Sequence, residues 1–259
     1  MSSDSQQQPA RGWVIVGGAS GGVGAASCRA LAADGWDVAV VYRSRIERAQ
    51  QVLQQVEAAG RQGRLIQLDF TDADQLESGI DEFADGHDLS GVVYAAGPDF
   101  DFRFIADLKP TEFRRVIEND AIACFNLVRP ALKHLRERGG AVVAVGTPAI
   151  DRHYKRDVLS SAPKAAIRAL IRGIASEEGR FGIRANTVDV GMLEGEGMWQ
   201  SFWERGEYTD EIIDAARKAL PLRRLGTADE VAEAVAFLMS TRASWITGQS
   251  LAVDGGFAC

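Results

Sequence analysis

Five glycines fall within eight residues in Gly17-Gly18-Ala19-Ser20-Gly21-Gly22-Val23-Gly24, between an apolar run and a helix-length segment. Glycines at such a junction let the backbone turn sharply and approach a pyrophosphate, which rests on the free N–H groups of the helix start. A glycine cluster alone can be a structural turn, but the strand–turn–helix context favours a nucleotide. Gly18, Ser20, Gly22, Val23 and Gly24 are expected at its phosphates. Tyr42-Arg43-Ser44-Arg45 closes the next apolar run and holds no acid. An acid there would bond ribose hydroxyls, whereas arginine accommodates a 2′-phosphate. Arg43 and Ser44 are expected on that phosphate, favouring NADP(H) over NAD(H); the other reading makes both arginines a solvated helix start. Farther along, Ser160 stands four residues before Lys164, and His153, Tyr154 and Asp157 are titratable groups just upstream.

These residues need elements to position them. Short apolar runs at Trp13–Gly17, Asp37–Tyr42, Arg64–Leu68, Gly91–Ala96, Ala141–Gly146, Ile183–Val188 and Ser250–Val253 predict seven strands. Helices are predicted over Gly22–Asp34, Ile46–Ala59 (ended by Gly60), Asp72–Ala84 with Thr71 as cap, Pro110–Arg138 and Leu159–Arg180. Continuous apolar strands separated by helices imply a parallel sheet covered on both faces. With the glycine turn, that makes an α/β fold: one Rossmann-like, doubly wound sheet with right-handed crossovers. Residues 1–10 read as a disordered polar tail and 11–259 as a single domain, with no repeat or linker.

The 259 residues are 46% hydrophobic and 25% charged, with a net charge of −7, an ordinary globular composition that argues against nucleic acid as the main ligand. Three cysteines, Cys28, Cys124 and Cys259, have no metal-ligand spacing and suggest a reducing compartment. The start of the chain lacks the apolar run of a signal peptide, and no stretch approaches a membrane span. A cytoplasmic location, no membrane partner and no metal are expected.

The spacing Gly18-x3-Gly22-x-Gly24 resembles the glycine pattern of the short-chain dehydrogenase/reductase family. Asp69-Phe70 looks like its adenine-contacting pair, Ala95-Ala96-Gly97 like its Asn-Ala-Gly segment, and the loop ending at Gly191 like its Pro-Gly loop. Pro221–Gly226 and Ile246–Gly256 resemble the C-terminal signature of the 3-oxoacyl-carrier-protein reductase branch. The resemblance covers roughly residues 11–257.

It implies hydride transfer at a nicotinamide, with a tyrosine passing the proton, a serine orienting the substrate oxygen, a lysine lowering the tyrosine pKa and holding the ribose, and an asparagine anchoring a water. Lys164 is kept, Thr147 stands for the serine, and Asp120 for the asparagine, although a one-residue shift would put Asn119 there. Ser160 takes the tyrosine's place. That change is severe: a phenol has a pKa of about 10, a serine hydroxyl is far less acidic, and its side chain is much shorter. Tyr154 is the candidate substitute donor, or else it packs or faces solvent. Asp157 lies seven residues before Lys164, where the family's enoyl reductases place a tyrosine, which argues against enoyl reduction.

Residues 192–220 correspond to a substrate lid, in which Met198, Trp199, Phe202 and Trp203 fall at helical spacing; Phe100, Phe102 and Phe104 are expected on the opposite rim. An apolar or aromatic acyl substrate, free or carrier-linked, fits both. The resemblance also implies dimers or tetramers. Three functions remain open: an NADP(H)-dependent oxidoreductase of a 3-oxoacyl or related ketone with an atypical site; a reductively inactive nucleotide-binding subunit paired with an active relative; or non-redox chemistry (dehydration, isomerisation or an aldol-type step) using Asp120 and Lys164.

Overall fold

The computed structural model describes residues 11–195 and 198–259, so the expected tail at 1–10 and two residues of the expected lid lie outside them. Seven strands form one parallel sheet in the order β3-β2-β1-β4-β5-β6-β7: β1 (Trp13–Gly17), β2 (Asp37–Tyr42), β3 (Gly63–Gln67), β4 (Leu89–Tyr94), β5 (Gly140–Gly146), β6 (Ile183–Val190) and β7 (Ser250–Val253). The order reverses between β1 and β4. In such sheets ligands bind at that crevice, outside the carboxyl ends of the strands.

Strand alternation divides the core in two. Trp13 and Ile15 of β1 face one side with Val92 and Tyr94 of β4, under α3 (Ala73–Asp85), α5 (Ala123–Leu135) and α6 (Val158–Glu178). Val14 and Val16 face the other side with Val93, under α1 (Gly22–Ala33), α2 (Ile46–Ala58) and α9 (Ala228–Met239). Side chains of successive strand residues point to opposite faces, so both sides of these apolar strands are buried. Between α5 and α4 (Pro110–Val116) lies one π-helical turn, Ile117–Ile122. After β6 come α7 (Trp199–Glu204) and α8 (Asp210–Ala219). Among the described residues no helix is long and apolar enough to cross a membrane.

Several expected boundaries move. The expected helix Pro110–Arg138 is interrupted by the π turn and ends at Leu135, and α6 ends at Glu178. The cap of α3 is Asp72, whose carboxylate accepts the N–H of Gln75, while the Thr71 hydroxyl donates to Asp69. β4 stops at Tyr94 because the chain then turns to line the glycine loop; Ala95 N–H still reaches the Gly17 carbonyl at 2.9 Å. β6 runs on to Val190 because Asp189 and Val190 pair with Ala252 and Val253 of β7. Helix α9 was not expected, yet its signal stands in the sequence: Thr227 and Glu230 form a reciprocal capping box.

Candidate active site

The glycine turn has no room for side chains. Gly18 has φ +80, and a Cβ there would lie 2.7 Å from the backbone of Ala95 and Ala96; one on Gly24 would lie 2.2 Å from the Gly18 carbonyl oxygen. Gly21 N–H closes the turn on that same carbonyl at 2.9 Å. Helix α1 then opens with no side-chain cap and no acid in its first turn. Its N–H groups are left for an anion, with the helix dipole favouring negative charge. Ser20 is buried within the turn, and Val23 packs against the core under α9.

At the far rim, Arg43 and Ser44 are exposed past β2. The Arg43 guanidinium makes no hydrogen bond or ion pair among the described residues, although its charge reaches Asp69. The N–H and hydroxyl of Thr71, with Arg43 adding to them, hold the Asp69 carboxyl below its usual range. Phe70 turns inward: its ring lies 6.1 Å from that of Tyr94 and against Gly17.

Lys164 sits below the mouth of the crevice. Its Nζ donates to Asp120 Oδ1 at 2.9 Å and to the Ala96 carbonyl at 3.0 Å, and a Cβ on Gly97 would lie 3.8 Å from it. Asp120 comes from the π turn and is buried; the Tyr94 hydroxyl stands 3.0 Å from its carbonyl oxygen and 3.1 Å from its Oδ1. Burial raises the Asp120 carboxyl, while Lys164 and the Tyr94 hydroxyl pull it down. Burial, and then the charge of Asp120, push the Tyr94 phenol well above its ordinary value. Of the two residues open to the asparagine's place, Asp120 therefore meets Lys164, and Asn119 donates instead to the Arg115 carbonyl on its own helix.

Thr147 follows β5, and its hydroxyl accepts the Ala149 N–H at 3.3 Å. Ser160 is half-buried on α6, and its hydroxyl makes no hydrogen bond among the described residues. At about 100° per residue, Ser160, Lys164 and Arg168 line one face of that helix, with Asp157 at its N-cap. Asp157 opens the helix. It is only 7% exposed, its carboxylate accepts no hydrogen bond among the described residues, and burial alone pushes its pKa up to about 7. Tyr154 stacks its ring on Phe257 at 4.5 Å, and burial raises its pKa despite the Arg152 charge. Gly191 lies against β7, where a Cβ would come within 2.7 Å of the Asp254 Cα.

Two features were not expected from the sequence. Arg168 donates to both oxygens of Asp151 at 2.8 Å and to buried Asp189 at 2.5 Å; Gly146 leaves the room, since a Cβ there would sit 2.1 Å from Asp189 Oδ1. Two arginines also tie the 99–104 loop to its neighbours. Arg205 grips both carboxylate oxygens of Asp99 at 2.7 and 2.9 Å and the Phe100 carbonyl at 3.1 Å. Arg156, at φ 71, donates to the Phe102 carbonyl at 2.6 Å and lies 3.7 Å from Glu207. The spacing of charges over distant loops gives no sequence signal for such pairs.

Phe100 and Phe102 pack on Phe202, with ring centroids 5.8 and 5.1 Å apart, and Tyr208 joins Phe202 at 5.0 Å. Phe104, expected on the same rim, is 55% exposed and stays outside this cluster. A hollow of about 540 Å³ between Arg11, Trp36, Arg184 and Trp245 lies at the opposite end of the strands, far from Lys164.

This strand order, with a turn between β1 and α1 that has no room for a side chain at Gly18 or Gly24 and a lysine under its mouth, defines a Rossmann-type dinucleotide-binding fold. Residues 18–258 match the family model adh_short_C2, described as enoyl-(acyl carrier protein) reductase. The chain is 31% identical over 247 residues to versicolorin reductase stcU of Emericella nidulans, covering 93% of this chain and 94% of that one. It is 31% identical over 251 residues to the 3-oxoacyl-(acyl-carrier-protein) reductase FabG of Staphylococcus aureus, covering 93% and 96%. A short-chain dehydrogenase/reductase from Serratia marcescens superposes with a TM-score of 0.86 at 27% identity, covering 96% and 99%. The protein belongs to the short-chain dehydrogenase/reductase family of oxidoreductases.

Proposed function

We propose that the protein is an NADP(H)-dependent oxidoreductase that reduces a 3-oxoacyl or related apolar ketone, or oxidises the corresponding alcohol. The observation that carries the reading is Lys164, held by Asp120 and the Ala96 carbonyl beside Gly97, at the mouth of a glycine turn that excludes side chains. The cradle a Cβ would fill at Gly18 and Gly24, the uncapped start of α1 and the Arg43 guanidinium, unpaired among the described residues, together fit a phosphorylated dinucleotide. When bound, that nucleotide supplies or accepts the hydride.

The chain's own residues would do the rest. Gly18, Ser20, Gly22, Val23 and Gly24 hold the pyrophosphate, Arg43 and Ser44 the 2′-phosphate, and Asp69 and the Ala95–Gly97 backbone border the nucleoside. An ammonium carries three donors; two of Lys164's are engaged, leaving one for the nicotinamide ribose. The Thr147 and Ser160 hydroxyls, at the end of β5 and on the Lys164 face of α6, lie where a carbonyl oxygen would be oriented. Phe100, Phe102, Phe202 and Tyr208 give the substrate an apolar wall, covered by residues 198–220 as a lid. FabG, the relative named above, is a 3-oxoacyl reductase by name, which supports the same substrate class. Exposed Phe113, Ile122 and Phe125 on α4, the π turn and α5 suit a homo-oligomer.

The test is binding of NADPH and NADH, followed by single-turnover oxidation of bound NADPH with a short 3-oxoacyl thioester. NADPH should bind more tightly, and Arg43→Ala should lose roughly tenfold or more of that preference, as expected for a charge-assisted contact. Equal affinities in wild type would refute NADP(H) preference, and silence across a panel of ketones would refute the reductase.

A further inference from the structure

We infer that Asp157 is the acid that gives its proton to the carbonyl oxygen of the substrate, in the role left open by Ser160; the inference rests on the reductase reading above. Positions 157, 160 and 164 fall within about 60° of one another around α6, and Asp157 lies roughly 10 Å along the axis from Lys164. Asp157 therefore stands at the N-cap of the helix that carries Ser160 and Lys164, where its charge reaches Tyr208 of the lid.

The carboxyl itself is unusual. Buried polar groups almost always have a hydrogen-bond partner, and burying a charge without one is costly. Asp157 is 7% exposed, and among the described residues its carboxylate has neither hydrogen bond nor ion pair. The titratable groups that its charge reaches are Tyr154, from its own loop, and Tyr208, from the lid. Both phenols are held above their ordinary value, Tyr208 at about 12, so both are neutral near pH 7. Arg156, next in the chain, is engaged by the Phe102 carbonyl and Glu207. Lys164 is neutralised by Asp120. No cation strips the proton from Asp157, and burial keeps it on to about pH 7. An acid is most effective when its pKa lies near the working pH.

The step balances with a reduced nicotinamide dinucleotide as hydride source. The carbonyl carbon takes the hydride, the C=O π electrons move to oxygen, and the oxygen takes the Asp157 proton. A C–H and an O–H bond form, and Asp157 is left as a carboxylate that water reprotonates.

The experiment uses full-length wild type, Asp157→Asn, Ser160→Tyr and the Asp157→Asn/Ser160→Tyr double variant. The rate of bound-NADPH oxidation by a 3-oxoacyl thioester is followed against pH, and the aspartate carboxyls are titrated by carbon-13 NMR without nucleotide. Wild type should lose rate as pH rises through about 7, because the acid form is lost. Asp157→Asn should be about 10²–10⁴-fold slower and lack that limb, and Ser160→Tyr should restore part of the rate to it. One carboxyl should titrate near neutrality in wild type and be missing from Asp157→Asn. Full activity with an unchanged pH profile in Asp157→Asn, or no carboxyl titrating above about 5, overturns this inference and leaves the reductase reading standing. A wild type that turns over no ketone overturns both.

Discussion

Replacing Lys164 by methionine should expose the energetics at the centre of the site. Asp120 is 2% exposed, and Lys164 supplies its cation at 2.9 Å; without it, the carboxylate keeps only the Tyr94 hydroxyl among the described residues. Removing one partner of a buried pair costs about 3–5 kcal/mol, because the other charge is stranded. For a chain of this size that is a fall in Tm on the order of 10 °C. The loss must depend on pH. In the native protein burial already raises the Asp120 carboxyl, and removing Lys164 takes away the charge that opposes this. A carboxyl whose folded pKa exceeds its unfolded value favours folding below the unfolded value, and that advantage is lost as pH rises through the folded pKa. The deficit of Lys164→Met should therefore be small near pH 5 and widen toward pH 8. Urea unfolding of wild type and Lys164→Met at both pH values measures it, and Asp120→Asn/Lys164→Met should recover most of the loss at pH 8. A deficit that is equal at both pH values, or below about 1 kcal/mol, would show that water reaches Asp120 and that the pair is not a buried one.

Other expectations follow from particular contacts. Gly146→Ala must push Asp189 aside, since the new Cβ would lie 2.1 Å from its Oδ1; thermal unfolding should show a loss of roughly 1–3 kcal/mol, the cost of overpacking a filled site. Arg205→Ala removes a largely exposed pair with Asp99, so stability should change by less than about 1 kcal/mol, while limited proteolysis near residues 198–209 should speed up because the Phe100 carbonyl is released. Cys28 and Cys124 are buried, with thiols raised well above their ordinary value, and Cys259 is exposed. A thiol reagent at neutral pH should modify one cysteine quickly and the other two only on unfolding.

The strands were legible because parallel strands buried on both faces must be apolar along their whole length, as Trp13–Gly17 and Asp37–Tyr42 are. Their ends were less so. The ladder at β6 continues through Asp189, a polar residue that reads as a loop until Arg168 is seen beside it. The turn at Gly17–Gly24 was legible because its function demands the absence of side chains, a property that a sequence displays directly. The π turn was not, since an extra residue in a helix leaves the apolar pattern nearly intact; it decides whether Asn119 or Asp120 meets Lys164. Asp157 was visible as a titratable residue, but its isolation from partners is a property of packing. So is the stacking of Tyr154 on Phe257, which no spacing encodes.

Three departures at the site are coherent when charge is followed. In the arrangement that the family resemblance implies, a neutral asparagine leaves the lysine's positive charge free to lower the pKa of a tyrosine. Here Asp120 takes up that charge at 2.9 Å. A phenol at position 160 would then face a lysine whose field is largely cancelled, and would gain little acidity from it. A carboxylic acid needs the opposite environment: its intrinsic pKa of about 4 must rise to reach neutrality, and burial away from cations is what raises it. Asp157 has that environment: burial raises it, and no cation among the described residues pulls it back down. The acidic residue at 120, the small residue at 160 and the lone carboxyl at 157 thus support one another, since each removes the need for, or the obstacle to, the next. The Ser160→Tyr variant separates the parts: a tyrosine returned beside a lysine still paired to Asp120 should rescue Asp157→Asn only partially, and adding Asp120→Asn should increase the rescue. If Asp120→Asn adds nothing, the charge of Lys164 does not govern proton donation at this site.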